Sequence, residues 1–458
     1  MQSLNSGPVR TFPQPPHTPA SLSRPLQVWG GVECSVVRVG DIWRDQVRET
    51  GHHARGVQDL DLLAALGLRT LRYPVLWERA TLGQPGGCGW RWHDTQLGAL
   101  HRHGIEVVAG LVHHGSGPRA TSLLDPLFPE RLAAYAGRVA ARYPFVAAWT
   151  PVNEPLTTAR FSCLYGHWHP HLRDEGAFLR AVVNQARAAL LAMRAIRAHL
   201  PAARFLHTED LGRVFATPPL REQAAFENSR RWLSLDLLCG RLGRQHPWRG
   251  RLETHGVAAR HLDELATGEA APDLMGINHY ATSDRFLDHR LRLYPPHLRG
   301  GNGTRAYADT EALRAGLGEG TTGWEPRLRE AWERYRRPLV LSEVHLGCDD
   351  PREQVRWLME AWRAAQALRA EGADVRAVTA WALFGLVDWN TMLRERRGHY
   401  EPGAFDARAQ ALTGLPQPTL LAQAVAALAN GGEFNHAALR EPGWWRREER
   451  IHAALRRA

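Results

Sequence analysis

Short runs of apolar and β-branched residues alternate along this chain with longer stretches whose apolar positions recur at helical spacing. Leu26–Glu33, Thr70–Trp77, Ile105–His113, Phe145–Asn153, Arg204–Thr208, Asp273–Tyr280, Pro338–Val344 and Val375–Phe384 read as strands. Between them, Gly56–Leu66, Trp92–His103, Pro129–Tyr143, Glu175–His199, Pro219–Gly243 and Glu353–Arg369 read as helices. Eight strands alternating with helices predict a single-domain α/β fold, the (β/α)8 TIM barrel, over residues 26–432. The Gly-rich stretch Leu291–Gly323 reads as a long loop at the rim of the site, and His52-His53 as loop.

Composition narrows the class. A chain of 458 residues, 44% hydrophobic and 23% charged, has the make-up of a globular protein, and no apolar run is long enough to span a membrane. Residues 1–25 are rich in Pro, Ser and Thr without an apolar core, which predicts a flexible leader in place of a secretory signal. Cys34, Cys88, Cys163, Cys239 and Cys348 are odd in number and scattered, so they read as reduced thiols of a cytoplasmic protein. The chain has no lysine, so all 57 basic residues are arginine. That removes chemistries needing a Lys amine, among them Schiff-base and P-loop mechanisms. The arginines are dispersed, which argues against nucleic acid as a partner. Only residues 433–458 concentrate them, and these are predicted to be a basic, solvated helical tail. No histidine pair has metal-ligand spacing, so no metal or cofactor is expected.

Two glutamates organise the chemistry. Trp149-Thr150-Pro151-Val152-Asn153-Glu154-Pro155 and Leu339-Val340-Leu341-Ser342-Glu343-Val344 are both apolar runs ending in an acid. An acid at the C-terminal end of a barrel strand faces the opening where such folds do chemistry. Two facing carboxylates are what cleavage of a glycosidic bond needs. Asn153 beside the acid can hold a sugar hydroxyl, and Pro155 ends the strand.

These stretches, with others at nearly every strand end, resemble glycoside hydrolase family 1, the retaining β-glycosidases. Trp149 to Pro155 is similar to the family's Thr-x-Asn-Glu-Pro signature, which implies that Glu154 is the acid/base. Leu341-Ser342-Glu343 stands where the family has Ile-Thr-Glu-Asn-Gly, which implies that Glu343 is the nucleophile. Leu71-Arg72-Tyr73 resembles Tyr-Arg-Phe and sets Arg72 beside that nucleophile. Gly276-Ile277-Asn278-His279-Tyr280 resembles Gly-x-Asn-Tyr-Tyr, which makes Tyr280 and Asn278 its supports. Val112-His113-His114 resembles Tyr-His-Trp and makes His113 a sugar ligand. Trp381, Asp388 and Trp389 fall where the family has a sugar platform and a clamp on the outer hydroxyls.

Departures from the family pattern alter the sugar pocket. Glu33 and Arg38 occupy the neighbourhood of the family's Gln-x-Glu-Gly, Val344-His345 replaces Asn-Gly, and Asp388 is one methylene shorter than the family's Glu. The expected substrate is therefore a β-glycoside other than a plain β-glucoside. Glu33 and Glu209 are further candidate sugar ligands, with His207 and Asp210 beside the latter. Glu343 beside Arg72 is expected to stay ionised, and Glu154 to be held protonated. The rival reading is a non-catalytic sugar-binding or scaffold barrel working with a nucleotide-sugar enzyme. The sequence assigns no oligomeric state.

Overall fold

The computed structural model describes residues 24–409, 414–453 and 455–456. Eight parallel strands close into a barrel. They are β1 (Gln27–Gly31), β2 (Thr70–Pro74), β3 (Glu106–Gly110), β4 (Ala148–Thr150), β5 (Arg204–Asp210), β6 (Leu274–Asn278), β7 (Leu339–Val344) and β8 (Val375–Ala380). β1 pairs with β8 on one side, Val28 opposite Val378, and with β2 on the other, Gly31 opposite Arg72. Strands covered on both faces have no polar side to show, which is why β7 reads as an almost unbroken apolar run and is buried throughout.

The strands are masked by helices α1 (Val57–Ala65), α2 (Gly89–Arg102), α3 (Phe128–Arg142), α4 (Glu175–His199), α5 (Leu233–Leu238), α6 (Trp324–Tyr335), α7 (Pro351–Ala370) and α8 (Leu420–Ala429). Their starts are written in the sequence. Asp174 accepts from the Ala177 N–H at 2.6 Å, and Asp350 accepts from the Arg352 N–H at 2.8 Å with Pro351 behind it. Inside the barrel Trp29, Val108, Ala148, Leu206, Leu274, Val340 and Ala377 form an apolar plug. Two residues further along these strands, on the same inward face, come polar or small residues: Gly31, Gly110, Thr150, Thr208, Gly276, Ser342 and Thr379. The barrel is thus apolar at its base and polar towards the C-terminal opening.

Four expectations are corrected. His52-His53 is not loop but opens a short helix, His52–Arg55. His52 is fully buried there, bonded at 2.7 Å to Asp59 and at 2.8 Å to Tyr73. The helix expected over Pro219–Gly243 is two, Arg221–Arg230 and α5, and Pro247–Thr254 and Ala259–Ala266 add two more. Leu291–Gly323 is not structureless: Arg299–Gly301 and Ala306–Glu311 pair with Arg285–Asp288 and Val214–Ala216 in a four-stranded sheet. The tail over 433–458 is no solvated helix. Its described residues make three 3-10 turns laid against α7, where Arg446 pairs with Glu360 at 2.6 Å and the Arg356 guanidinium donates to the Ala438 carbonyl at 2.7 Å. The tail's apolar anchor is Trp445, 1% exposed, edge-on to Trp357 at 4.9 Å. The leader lies almost wholly outside the described residues. Among the described residues no helix is long and apolar enough to cross a membrane.

Candidate active site

Both glutamates stand at the C-terminal opening of the barrel. Glu343 lies on β7 just past a register irregularity, opposite Asn278 of β6. Glu154 follows β4 with a positive φ of 46°, turning the chain into the short helix Pro155–Ala159. A non-glycine residue in this left-handed region is uncommon and clusters at functional sites.

Their surroundings differ in sign. Arg72 donates to Glu343 Oε1 at 3.0 Å, and the Tyr280 hydroxyl donates to Oε2. The same guanidinium holds Asn153 Oδ1 at 2.9 Å and lies 4.8 Å over the Trp381 ring. Around Glu154 stand an amide and further acids. Asn278 Nδ2 donates to its Oε1 at 2.6 Å, and His114 Nε2 lies 3.8 Å from its Oε2. Burial pushes the Glu154 carboxyl well up, and Glu343, Asp210 and Glu209 push it further. Burial also raises Glu343, against the expectation that Arg72 alone would hold it low; Arg72 and Tyr280 draw it part of the way back. Of this tightly coupled pair Glu343 therefore ionises first.

The remaining predicted residues divide by what they touch. Trp381 stacks on His113 at 5.5 Å and 7°, and a Cβ on Gly31 would meet the Trp381 ring at 2.2 Å, so glycine is required beneath it. Trp389 packs near Trp168 and His114 at 6.1 and 5.5 Å. Asn153 is fixed by Arg72 and by the Thr208 hydroxyl at 2.6 Å, and its amide lies 3.2 Å from His113 Nε2. His113 also touches Cys34 Sγ at 3.4 Å through Nδ1.

Four assignments change. Asn278 contacts Glu154, and reaches the nucleophile strand only by accepting from Ser342 Oγ at 2.5 Å. Glu33 accepts from the Ser35 N–H at 2.9 Å and the Trp381 indole at 3.1 Å, so it holds the Trp381 ring in place. Glu209 accepts from the Leu156 and Thr157 N–H groups at 2.9 and 3.3 Å and from Ser234 Oγ at 2.7 Å. It thereby caps the helix that follows Glu154, and burial pushes its carboxyl up to about 7. Asp388 accepts from Arg44 at 2.9 Å and from the Arg397 and His399 N–H groups at 3.1 and 2.8 Å. Oδ2 thus serves Arg44 and the Arg397 N–H, and Oδ1 the His399 N–H, so both oxygens are engaged within the protein. Of the neighbouring candidates, Asp210 meets Ser283 Oγ at 2.6 Å on the rim beside Glu154, and His207 is buried.

Sequence reasoning overlooked Arg44, whose guanidinium also grips Glu49 at 2.7 Å and the Leu393 and Glu395 carbonyls. Nothing in its local pattern distinguishes it from the other arginines. Thr158, whose hydroxyl lies 3.0 Å from His114 Nδ1, was missed as well. Among the described residues no three His, Cys, Asp or Glu side chains gather as a metal site.

Comparison with known proteins agrees with this geometry. The family model for glycosyl hydrolase family 1 matches residues 45–401. The aryl-phospho-beta-D-glucosidase BglC of Bacillus subtilis is 23% identical over 76% of this chain and 80% of its own. Beta-glucosidase 47 of Arabidopsis thaliana is 24% identical over 76% of this chain and 71% of its own. The fold superposes on a beta-glucosidase from Thermotoga maritima in complex with deoxynojirimycin with a TM-score of 0.70, at 15% identity, over 90% of this chain and 98% of that one. The chain belongs to glycosyl hydrolase family 1, as a divergent (β/α)8 glycoside hydrolase.

Proposed function

We propose that this retaining β-glycosidase works with Glu343 as nucleophile and Glu154 as acid/base. The observation that supports it is the contrast between two buried carboxyls at one barrel opening. One is gripped by a guanidinium and a phenol; the other is faced by an amide and further acids. In the first step a Glu343 oxygen bonds to the anomeric carbon while Glu154 protonates the departing oxygen. In the second, Glu154 takes a proton from water, whose oxygen displaces Glu343. Two inversions leave the configuration retained.

The sugar pocket reads as poor in polar partners at its far end. Val37, Trp168 and Leu393 form a buried apolar cluster against Trp389 and Phe161, and Asp388 is engaged by Arg44. An outer hydroxyl entering such a pocket loses water without gaining a partner. Plain β-glucosides should therefore be slower than their 6-deoxy counterparts, by up to ~10²-fold, the usual ceiling for an apolar pocket against an added hydroxyl. The free cysteines fit a reducing compartment, and we assign the protein to the cytoplasm.

A panel of aryl β-glycosides, followed by NMR of the first-formed anomer, tests the reading. Turnover with the β-anomer appearing first is expected. A first-formed α-anomer contradicts double displacement, and sugar binding without any turnover points instead to a binding module.

A further inference from the structure

We propose that His114 is a positioning residue for the acid/base: its unprotonated Nε2 fixes the transferable proton of Glu154 on Oε2. The inference rests on Glu154 being the acid/base. His114 is buried beyond the end of β3, with φ 58° and Nδ1 at 3.0 Å from Thr158 Oγ1. That hydroxyl also lies 3.4 Å from the Asn153 carbonyl, which can only accept, and we assign its single hydrogen to that oxygen. Towards His114 it can only accept, so Nδ1 carries the hydrogen and Nε2 keeps its lone pair. A neutral ring fits these surroundings, since burial and then Arg72 push His114 down to about 3.

Nε2 comes within 4 Å of one oxygen of Glu154. Nε2 is 3.8 Å from Oε2, while Oε1 already accepts the Asn278 N–H at 2.6 Å. A proton on Oε1 would confront that donor; a proton on Oε2 faces an acceptor. A small rotation of the carboxyl closes the gap, as catalytic hydrogen bonds do when substrate binds.

The other groups around the pair are accounted for. Glu343, Asp210 and Glu209 all oppose the Glu154 anion. Tyr280 donates to Glu343, and Arg72 is held by Glu343, the Ser342 carbonyl and Asn153. His113, Trp168 and Trp389 surround the His114 ring at 4.7, 5.3 and 5.5 Å, and among the described residues Glu154 is its one acidic partner within 4.0 Å. The family segment that Val112-His113-His114 resembles has Trp at this place, so the imidazole departs from that pattern. Its lone pair disfavours the Glu154 carboxylate. The acid then keeps its proton to higher pH for the first step, and in the second its anion is a stronger base towards water.

The test is the pH profile of kcat/KM with two leaving groups on a sugar that the wild type hydrolyses. Asn tolerates positive φ and reproduces the reach of Nδ1 but not of Nε2, whereas Gln can carry an acceptor to the Nε2 position. For the phenyl glycoside, His114→Asn should lower the alkaline limb by about one pH unit, a ~10-fold loss above it. For the dinitrophenyl glycoside, which needs no proton, the loss should stay within about twofold. Thr158→Val lets the ring move its hydrogen to Nε2 and should shift the limb the same way. His114→Gln should restore most of it. An unshifted limb in both His114→Asn and Thr158→Val, or equal loss with both leaving groups, overturns the proposal while leaving Glu154 as acid. Wild-type rates in Glu154→Gln on the phenyl glycoside would remove the assignment of Glu154 itself, and this inference with it.

Discussion

Replacing Asp388 should weaken the fold and leave sugar preference unchanged, the opposite of what a hydroxyl clamp would do. The Asp388–Arg44 pair is 2.9 Å long, with both side chains at most 2% exposed. Removing one partner of such a pair costs about 3–5 kcal/mol, because the other charge stays buried. Arg44 keeps its contact with Glu49 at 2.7 Å, which places Asp388→Ala near the lower end, about 3 kcal/mol. The Arg397 and His399 N–H groups also lose their acceptor. Asp388→Asn keeps the shape and one acceptor and should cost about half as much, in the range of a charged hydrogen bond at ~1.5 kcal/mol. The contribution has a definite pH window. Burial pushes this carboxyl up, but the N–H groups of His399, Gly398 and Arg397 and the Arg44 guanidinium outweigh it and hold it below the usual range. A lowered folded value stabilises above the unfolded one, ~3.9, and that gain is lost as pH falls through the folded value. Urea unfolding followed by tryptophan fluorescence at pH 7 and pH 3 reads both effects: a clear gap between wild type and Asp388→Asn at pH 7, and a narrower one at pH 3. The ratio of kcat/KM for a β-glucoside and its 6-deoxy analogue should stay constant. Unchanged stability with an altered ratio would refute the reasoning.

Three further outcomes are expected. Tyr280→Phe removes a hydrogen bond to a charged oxygen, worth ~1.5–3 kcal/mol, so kcat/KM should fall about 10–100-fold and the acidic limb of its pH profile should move up. Glu209, at about 7 in the folded protein and ~4.3 unfolded, lends stability at low pH that declines as pH rises through that interval; Glu209→Gln should remove the decline, as unfolding midpoints across pH would show. Trp445→Ala deletes a buried ring and its 2.7 Å bond to Glu360 and should cost ~3–5 kcal/mol in chemical unfolding, whereas a merely solvated tail would lose almost nothing.

What the sequence made legible follows from range. Strands buried on both faces print their apolar runs directly, and breakers mark their ends, so β1 to β8 were each anticipated within a few residues. The motif-bearing ends were legible because Glu154, Glu343, Arg72 and Tyr280 each sit within a short stretch of recognisable type. Partnerships closed by the fold were hidden. Arg44 and Asp388 lie 344 positions apart, and Asn278 meets Glu154 across 124. Glu209 looked like a free acid at a strand end because its partners are backbone N–H groups, which no sequence pattern displays. The tail misled for a related reason. Its arginines suggested a solvated face, but Glu353 and Glu360 of α7 hold Arg447 and Arg446 while Trp445 is buried beneath.

The division of labour between the two glutamates is tested most directly by azide rescue of Glu343→Ala and Glu154→Ala on an activated aryl glycoside. Without Glu343, azide can take the vacated place and attack the anomeric carbon once, giving a glycosyl azide of inverted configuration. Without Glu154, the first displacement still occurs because the leaving group needs no proton, and the trapped intermediate awaits a base. Azide needs none and should release it as the retained anomer. Opposite anomers from the two variants are the predicted result; the same anomer from both, or rescue of neither in a folded and otherwise active protein, would contradict the assignment.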